Sequence, residues 1–170
     1  GRGRCHARLA VHSPSRASPV IALLDNTVLS NFALVGKANL LHAVFANTAS
    51  ITEQVAAEFQ AGVASGRLPH TDLSWLPVVG LAVQELLVYQ ELRKHLNAGE
   101  AACLAWAAHK ECIVFTDDRD ARELASQMQI PVSGTIGVLL RLNDLGRLSL
   151  TEADALLRAM VAHGYRSPVT

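Results

Sequence analysis

Two short apolar runs constrain this chain more than any other feature. One is Val20–Leu24, which ends abruptly in Asp25; the other is Cys112–Phe115, which runs into TDDRD. Their length, and the β-branched start of the first, favour strands of the kind buried on both faces of a parallel sheet. Between and after them the chain reads as helices of about ten residues, the alternation that calls for an α/β fold with a mostly parallel sheet. The spacing predicts helices over Thr27–Val35, Ala38–Phe45, Thr52–Ser65, Leu81–Leu96, Glu100–His109 and Asp120–Gln129, with two more from Thr135 separated by Gly146–Leu150. Weaker strands are expected at Asn47–Ile51, within WLPVV as an edge strand, and at Ile130–Val132, giving a sheet of about four or five strands flanked by helices in three layers. Asn97-Ala98-Gly99 is expected to break the chain between two helices.

The 170 residues are half hydrophobic and 18% charged, too apolar for a disordered chain and long enough for one core. No apolar stretch reaches the length of a membrane-spanning helix. Four of the 15 basic residues, Arg2, Arg4, Arg8 and Arg16, precede residue 20, whereas all 15 acids follow it, so residues 20–170 carry a formal −4. That balance argues against nucleic-acid binding by overall charge, while leaving room for a local basic strip. Residues 1–19 read as a disordered basic leader or an expression remnant, and residues 20–168 as one domain. Cys5, Cys103 and Cys112 are an odd set without metal-ligand spacing, which suggests reduced thiols in the cytoplasm. No dinucleotide, P-loop or nucleophile-elbow motif occurs, and the seven histidines have no HxxxH pair. Trp75 and Trp106 read as core residues.

In open α/β sheets ligands bind beyond the carboxyl ends of the strands. If the two acid-terminated strands are parallel neighbours, Asp25 meets Asp117, Asp118 and Asp120 at one edge. Each acid alone also reads as a helix cap or a first-turn acid. Together they read as a site, because clustered carboxylates are costly unless a cation is bound, and oxygen ligands suit Mg²⁺ or Mn²⁺. Glu100 at a helix start and Glu58 beside the apolar face of the Thr52 helix add to the set, whereas Glu53 reads as a solvated capping acid.

LLDNTVLSNFA, ITEQVAAEF and NAGEAACLAWAAHKECIVFTDDRDAR resemble, in order, the four acidic motifs of the PIN domain. The GEA helix start, the DD-R-x-A-R element, the GT-x-G-x-L helix and the AHGYRSP ending resemble a stand-alone prokaryotic subfamily, similar to the toxins of type II toxin–antitoxin pairs. The resemblance covers residues 20–168. It implies a Mg²⁺- or Mn²⁺-dependent endoribonuclease cutting single-stranded RNA, with Asp25, Glu58, Glu100 and Asp118 as catalytic metal ligands. Asn26, Thr116, Asp117 and Asp120 are then supporting residues, with Asp117 or Asp120 a direct ligand if the register slips by one. Arg119 and Arg122, one helical turn apart, are placed to meet RNA phosphates. The implied partners are RNA, a small antitoxin protein and a second copy of the chain as a homodimer. The alternative is a catalytically weak PIN-like module that binds nucleic acid or protein. A phosphatase lacks support, since Asp25-Asn26-Thr27 has no second Asp.

Overall fold

A computed structural model describes residues 21–168. Cys5 and the basic leader lie outside the described residues. Five strands, β1 (Ile21–Leu24), β2 (Ala49–Thr52), β3 (Val78–Val79), β4 (Cys112–Phe115) and β5 (Val132–Ser133), form one sheet in the order β3-β2-β1-β4-β5. Every pairing is parallel. β1 and β4 are direct neighbours, with Leu24 opposite Phe115, so the two acid-terminated runs end side by side. The chain leaves β1 toward β2 and returns to the other side of β1 as β4. This reversal is the topological switch point where α/β sheets open a crevice.

Among the described residues eight helices flank the sheet: α1 (Asn26–Leu34), α2 (Asn39–Phe45), α3 (Glu53–Ala64), α4 (Val83–Leu92), α5 (Ala98–Ala107), α6 (Arg119–Gln127), α7 (Thr135–Asp144) and α8 (Leu150–Ala162). Leu23, Leu24 and Val114 of the central strands are fully buried, together with Val28 and Phe32 of α1, Val55 of α3 and Leu104 of α5. α5 crosses beneath β1, β2 and β4. Its small residues permit that approach, since Gly99, Ala101, Ala102, Cys103 and Ala105 are all buried. Thr52 caps α3 as the sequence predicts, its Oγ1 accepting from the Val55 N–H at 3.1 Å. Gly146, with φ of 71°, supplies the left-handed turn between α7 and α8.

The strand expected at Asn47–Ile51 lies at Ala49–Thr52, and three other shifts in register have a visible local cause. The Asn97–Gly99 break is the start of α5 itself: Asn97 caps it, accepting from the Glu100 N–H at 2.9 Å, and Ala98 and Gly99 are helical. The helix expected over Leu81–Leu96 runs only from Val83 to Leu92, where the chain tightens into a turn: the Lys94 and His95 N–H groups bond the Glu91 and Leu92 carbonyls three residues before, at 3.2 and 3.0 Å. β5 begins two residues later than expected. Gln129 takes a left-handed φ of 60°, and the Ile130 N–H returns to the Ala125 carbonyl at 2.9 Å, so Ile130 completes the end of α6. Trp75 and Trp106 are half-buried at the margin of the core, Trp75 stacked on His42 and Trp106 beneath the Lys110 ammonium. Cys103 and Cys112 are buried free thiols.

Candidate active site

Asp25 follows β1 directly and is 1% exposed. Its backbone N–H donates to the Phe115 carbonyl at 2.9 Å, which ties the ends of β1 and β4 together. The Oδ2 atom accepts from Thr27 Oγ1 and from Thr116 Oγ1, both at 2.9 Å. Each hydroxyl has a single proton to give, and each gives it to Asp25. The two oxygens in turn accept the next backbone amides, Thr27 from Asp117 at 3.0 Å and Thr116 from Asp118 at 3.2 Å. The two threonines therefore hold the aspartate pair in register with Asp25. Asp25 Oδ1 is buried with no hydrogen-bond partner, one of two such side-chain atoms among the described residues. A buried carboxylate oxygen without a donor is costly and calls for a ligand.

Three further acids come to this edge from different elements. Glu58, on the second turn of α3, accepts from the Gly99 N–H at 2.9 Å. A side chain at residue 99 would meet that carboxylate and push it from its place, so glycine there lets Glu58 lie against the start of α5. Glu100 is 7% exposed and is held by Asn97, whose backbone N–H and Nδ2 donate to its two oxygens at 3.2 and 3.0 Å. Asp118 caps α6, its Oδ1 accepting from the Ala121 N–H at 2.8 Å.

The electrostatics couple the set. Burial pushes the Asp25 carboxyl above its ordinary value despite the two threonine hydroxyls, and the Glu58 charge pushes it the same way. Burial raises Glu100 to about 7, with Asp118 and then Asp25 adding repulsion. Beneath them, burial pushes the Cys103 thiol up, reinforced by Asp25, Glu58 and Glu100. The four acids are thus linked in a row, Glu58 acting on Asp25, and Asp25 and Asp118 on Glu100. Among the described residues, however, no group of three or more His, Cys, Asp or Glu side chains is gathered in a metal-holding arrangement. The donor set still fits a hard divalent cation: all four are carboxylates, and one presents a buried oxygen with nothing bonded to it.

The supporting residues divide. Thr116 acts on Asp25 as described. Asn26 acts through its backbone N–H, which favours the Asp25 carboxylate, while its side chain accepts from Ser30 at 3.3 Å. Asp117 is taken up elsewhere: its oxygens accept from the Thr135 N–H at 2.8 Å, Thr135 Oγ1 at 2.5 Å, Asn31 Nδ2 at 2.9 Å and Tyr165 OH at 3.4 Å. It joins α1, α7 and the C-terminal tail. Asp120 is exposed in the first turn of α6, and Glu53 is exposed in the first turn of α3. Arg119 is exposed, and Arg122 spends one Nη1 proton on the Thr116 carbonyl at 2.9 Å. Both line a cleft of about 1030 Å³ beside the acids, at the upper end of the small-ligand range.

Sequence reasoning missed Thr27, Asn31, Asn97 and Thr135. Asn97 had a local signal, the Asn-x-x-Glu capping spacing ahead of Glu100. Thr135 and Asn31 had none, since their partner lies 18 and 86 positions away.

No curated protein matches the chain significantly. A family model described as a PIN domain matches residues 21–170, nearly all of it. With the five-stranded parallel sheet, the helices on both sides and the acids at the switch point, that match establishes that the chain belongs to the PIN-domain family, whose fold is of the nuclease type.

Proposed function

We propose that this protein is a divalent-metal-dependent endoribonuclease that cuts single-stranded RNA. The observation that carries the reading is Asp25: a buried carboxylate at the switch point, with one oxygen fixed by two hydroxyls and the other without a partner, inside a coupled set of four acids. PIN domains are generally nucleases and typically use divalent ions, which agrees with an all-oxygen donor set.

Asp25, Glu58, Glu100 and Asp118 are the residues that would hold Mg²⁺ or Mn²⁺. The chemistry such an ion supplies when bound is Lewis acidity: it lowers the pKa of water toward neutrality and neutralises charge on phosphate oxygens. The chain's own contribution is orientation. Thr27 and Thr116 aim Asp25 by occupying one of its oxygens, the Gly99 N–H holds Glu58, Asn97 holds Glu100, and the Ala121 N–H holds Asp118. Such supporting bonds fix a ligand's direction, and their loss typically costs about 10–100-fold in metal affinity or activity. The test is cleavage of a fluorophore-quencher single-stranded RNA, which should require Mg²⁺ or Mn²⁺ and cease with a chelator. Full activity in excess chelator overturns the reading.

The wider reading is the toxin of a type II pair, acting in the cytoplasm as a homodimer and restrained by a small antitoxin that places an arginine among the carboxylates. Free Cys103 and Cys112 agree with a reducing compartment. Among the described residues no helix is long and apolar enough to cross a membrane. Val83 and Leu87 on α4 and Leu150 on α8 are each at least 66% exposed, apolar area of the kind that protein partners cover. Light scattering on the purified chain should give twice the monomer mass; a monomer would remove the homodimer alone.

A further inference from the structure

The cleft beside the acids has two walls of different character, and the second wall comes from the C-terminal tail. α6 contributes Arg119 and Arg122, and the segment after α8 contributes His163 and Arg166, so three guanidinium groups and an imidazole line one cavity of about 1030 Å³, large for a small-ligand site. This concentration is not average surface, because residues 20–170 carry more acids than bases. Arg119 and Arg166 are exposed, and neither has an ion-pair partner among the described residues, whose three salt bridges all lie elsewhere. The tail is tied to the floor: the Tyr165 hydroxyl donates to Asp117 Oδ1 at 3.4 Å, and the Tyr165 N–H reaches the Met160 carbonyl at 3.1 Å. Burial and the Asp117 charge push the Tyr165 phenol upward, so it keeps the proton it donates. The same cleft holds Asp118, one of the four acids, so the basic wall stands next to the place where the nuclease reading puts the scissile phosphate.

We propose that Arg119 and Arg166 form a backbone-phosphate subsite for single-stranded RNA, engaging a phosphate neighbouring the one to be cut, with Arg122 and His163 completing the wall and Tyr165 holding the tail in place. The inference rests on the nuclease reading for the position of the cut, but not for the binding. Guanidinium forks match phosphate oxygens in a way that hydrated ammonium groups do not, and of the two rings lining the cleft, His163 and Tyr165, the second is tied through its hydroxyl to Asp117. The subsite therefore reads the sugar–phosphate chain and not the base sequence.

The test is fluorescence anisotropy with a 5′-labelled single-stranded oligoribonucleotide over a salt series, using the full chain carrying Asp25→Asn so that the probe survives. Removing one phosphate-binding cation lowers the magnitude of the slope of log K against log salt by about 0.7 for single strands. Arg119→Ala and Arg166→Ala should each flatten the slope by about that amount, and the double variant by about twice as much. Arg158→Ala is the control, an exposed arginine paired with Asp154 on α8; it should leave the slope unchanged. An unmoved slope in both cleft variants, or an equal change in Arg158→Ala, overturns the subsite. Failure of the nuclease reading would appear separately, as RNA that the unmutated chain binds with the expected slope but does not cut.

Discussion

Asp117 and Asp118 are adjacent in the chain, yet they belong to different physical worlds. The Asp117 carboxylate is saturated by donors from Thr135, Asn31 and Tyr165, and it lashes α1, α7 and the tail to the end of β4. Asp118 spends one oxygen on the Ala121 N–H and faces Glu100, which in turn feels Asp25. A satisfied carboxylate serves as a strut, whereas one coupled to neighbouring acids is what the proposed nuclease site calls for. The difference is made by donors that arrive from distant parts of the chain, and it separates the two groups more sharply than their positions in the TDDRD motif.

The largest effect that would sharpen this contrast is expected at the centre of the coupled set. Asp25→Asn should lower RNA cleavage on the order of 10²–10³-fold, as loss of one preorganised electrostatic group does. Its thermal midpoint without divalent ions should equal or exceed that of the unmutated chain, because one repelling buried charge is gone. A fall in both activity and midpoint would place Asp25 among the struts. Asp117→Ala should show the opposite signature. It strands the amide and the hydroxyl of buried Thr135, at about 1–3 kcal/mol for each buried group left unpaired, so chemical denaturation should show a clear loss of stability. A variant as stable as the parent would erase the distinction between strut and site.

A titration sharpens the comparison further. Glu100 has its pKa raised to about 7 in the folded protein from an ordinary value of 4.5. The folded chain therefore binds more protons than the unfolded chain between those values, and metal-free stability should fall as pH rises through that window and level off above it. Glu100→Gln should flatten the profile, as read from thermal midpoints across pH 4–8. The same window predicts that Mg²⁺ or Mn²⁺ raises the midpoint more above pH 7 than at pH 5, since the ion competes with protons for these carboxylates. The smallest effect is expected at the solvated acids: Asp120→Asn and Glu53→Gln should each change stability by less than about 0.5 kcal/mol and leave cleavage unchanged. A strong loss of cleavage in Asp120→Asn would reinstate it as a ligand.

Much of the architecture was legible in the residues alone. Strands β1 and β4 are what short apolar runs leading into acids should be: β1 is buried from Ala22 to Leu24, and β4 alternates buried and half-buried residues up to the sheet edge. The caps of α3 and α8 follow from local Thr and Ser chemistry, since the donor and acceptor are three residues apart. The errors in register at α4, α5 and β5 are of another kind. Gln129 takes a left-handed φ that its side chain does not announce, the chain after Leu92 tightens into a turn, and Asn97 carries a capping signal that also reads as a break.

The sequence by itself determined that this is a parallel α/β domain, because period, length and capping are local properties written in neighbouring residues, and its four acidic motifs carried the resemblance to the PIN family. Only the tertiary structure decided what each acid does. Whether a carboxylate is satisfied depends on Thr27 meeting Asp117, on Asn31 and Thr135 meeting it from the other side, and on Glu58 lying over Gly99, contacts spanning 18 to 90 positions. Burial and repulsion act through space and not along the chain, so the raised proton affinity of Glu100 and the orphaned oxygen of Asp25 exist only once β1 and β4 lie side by side.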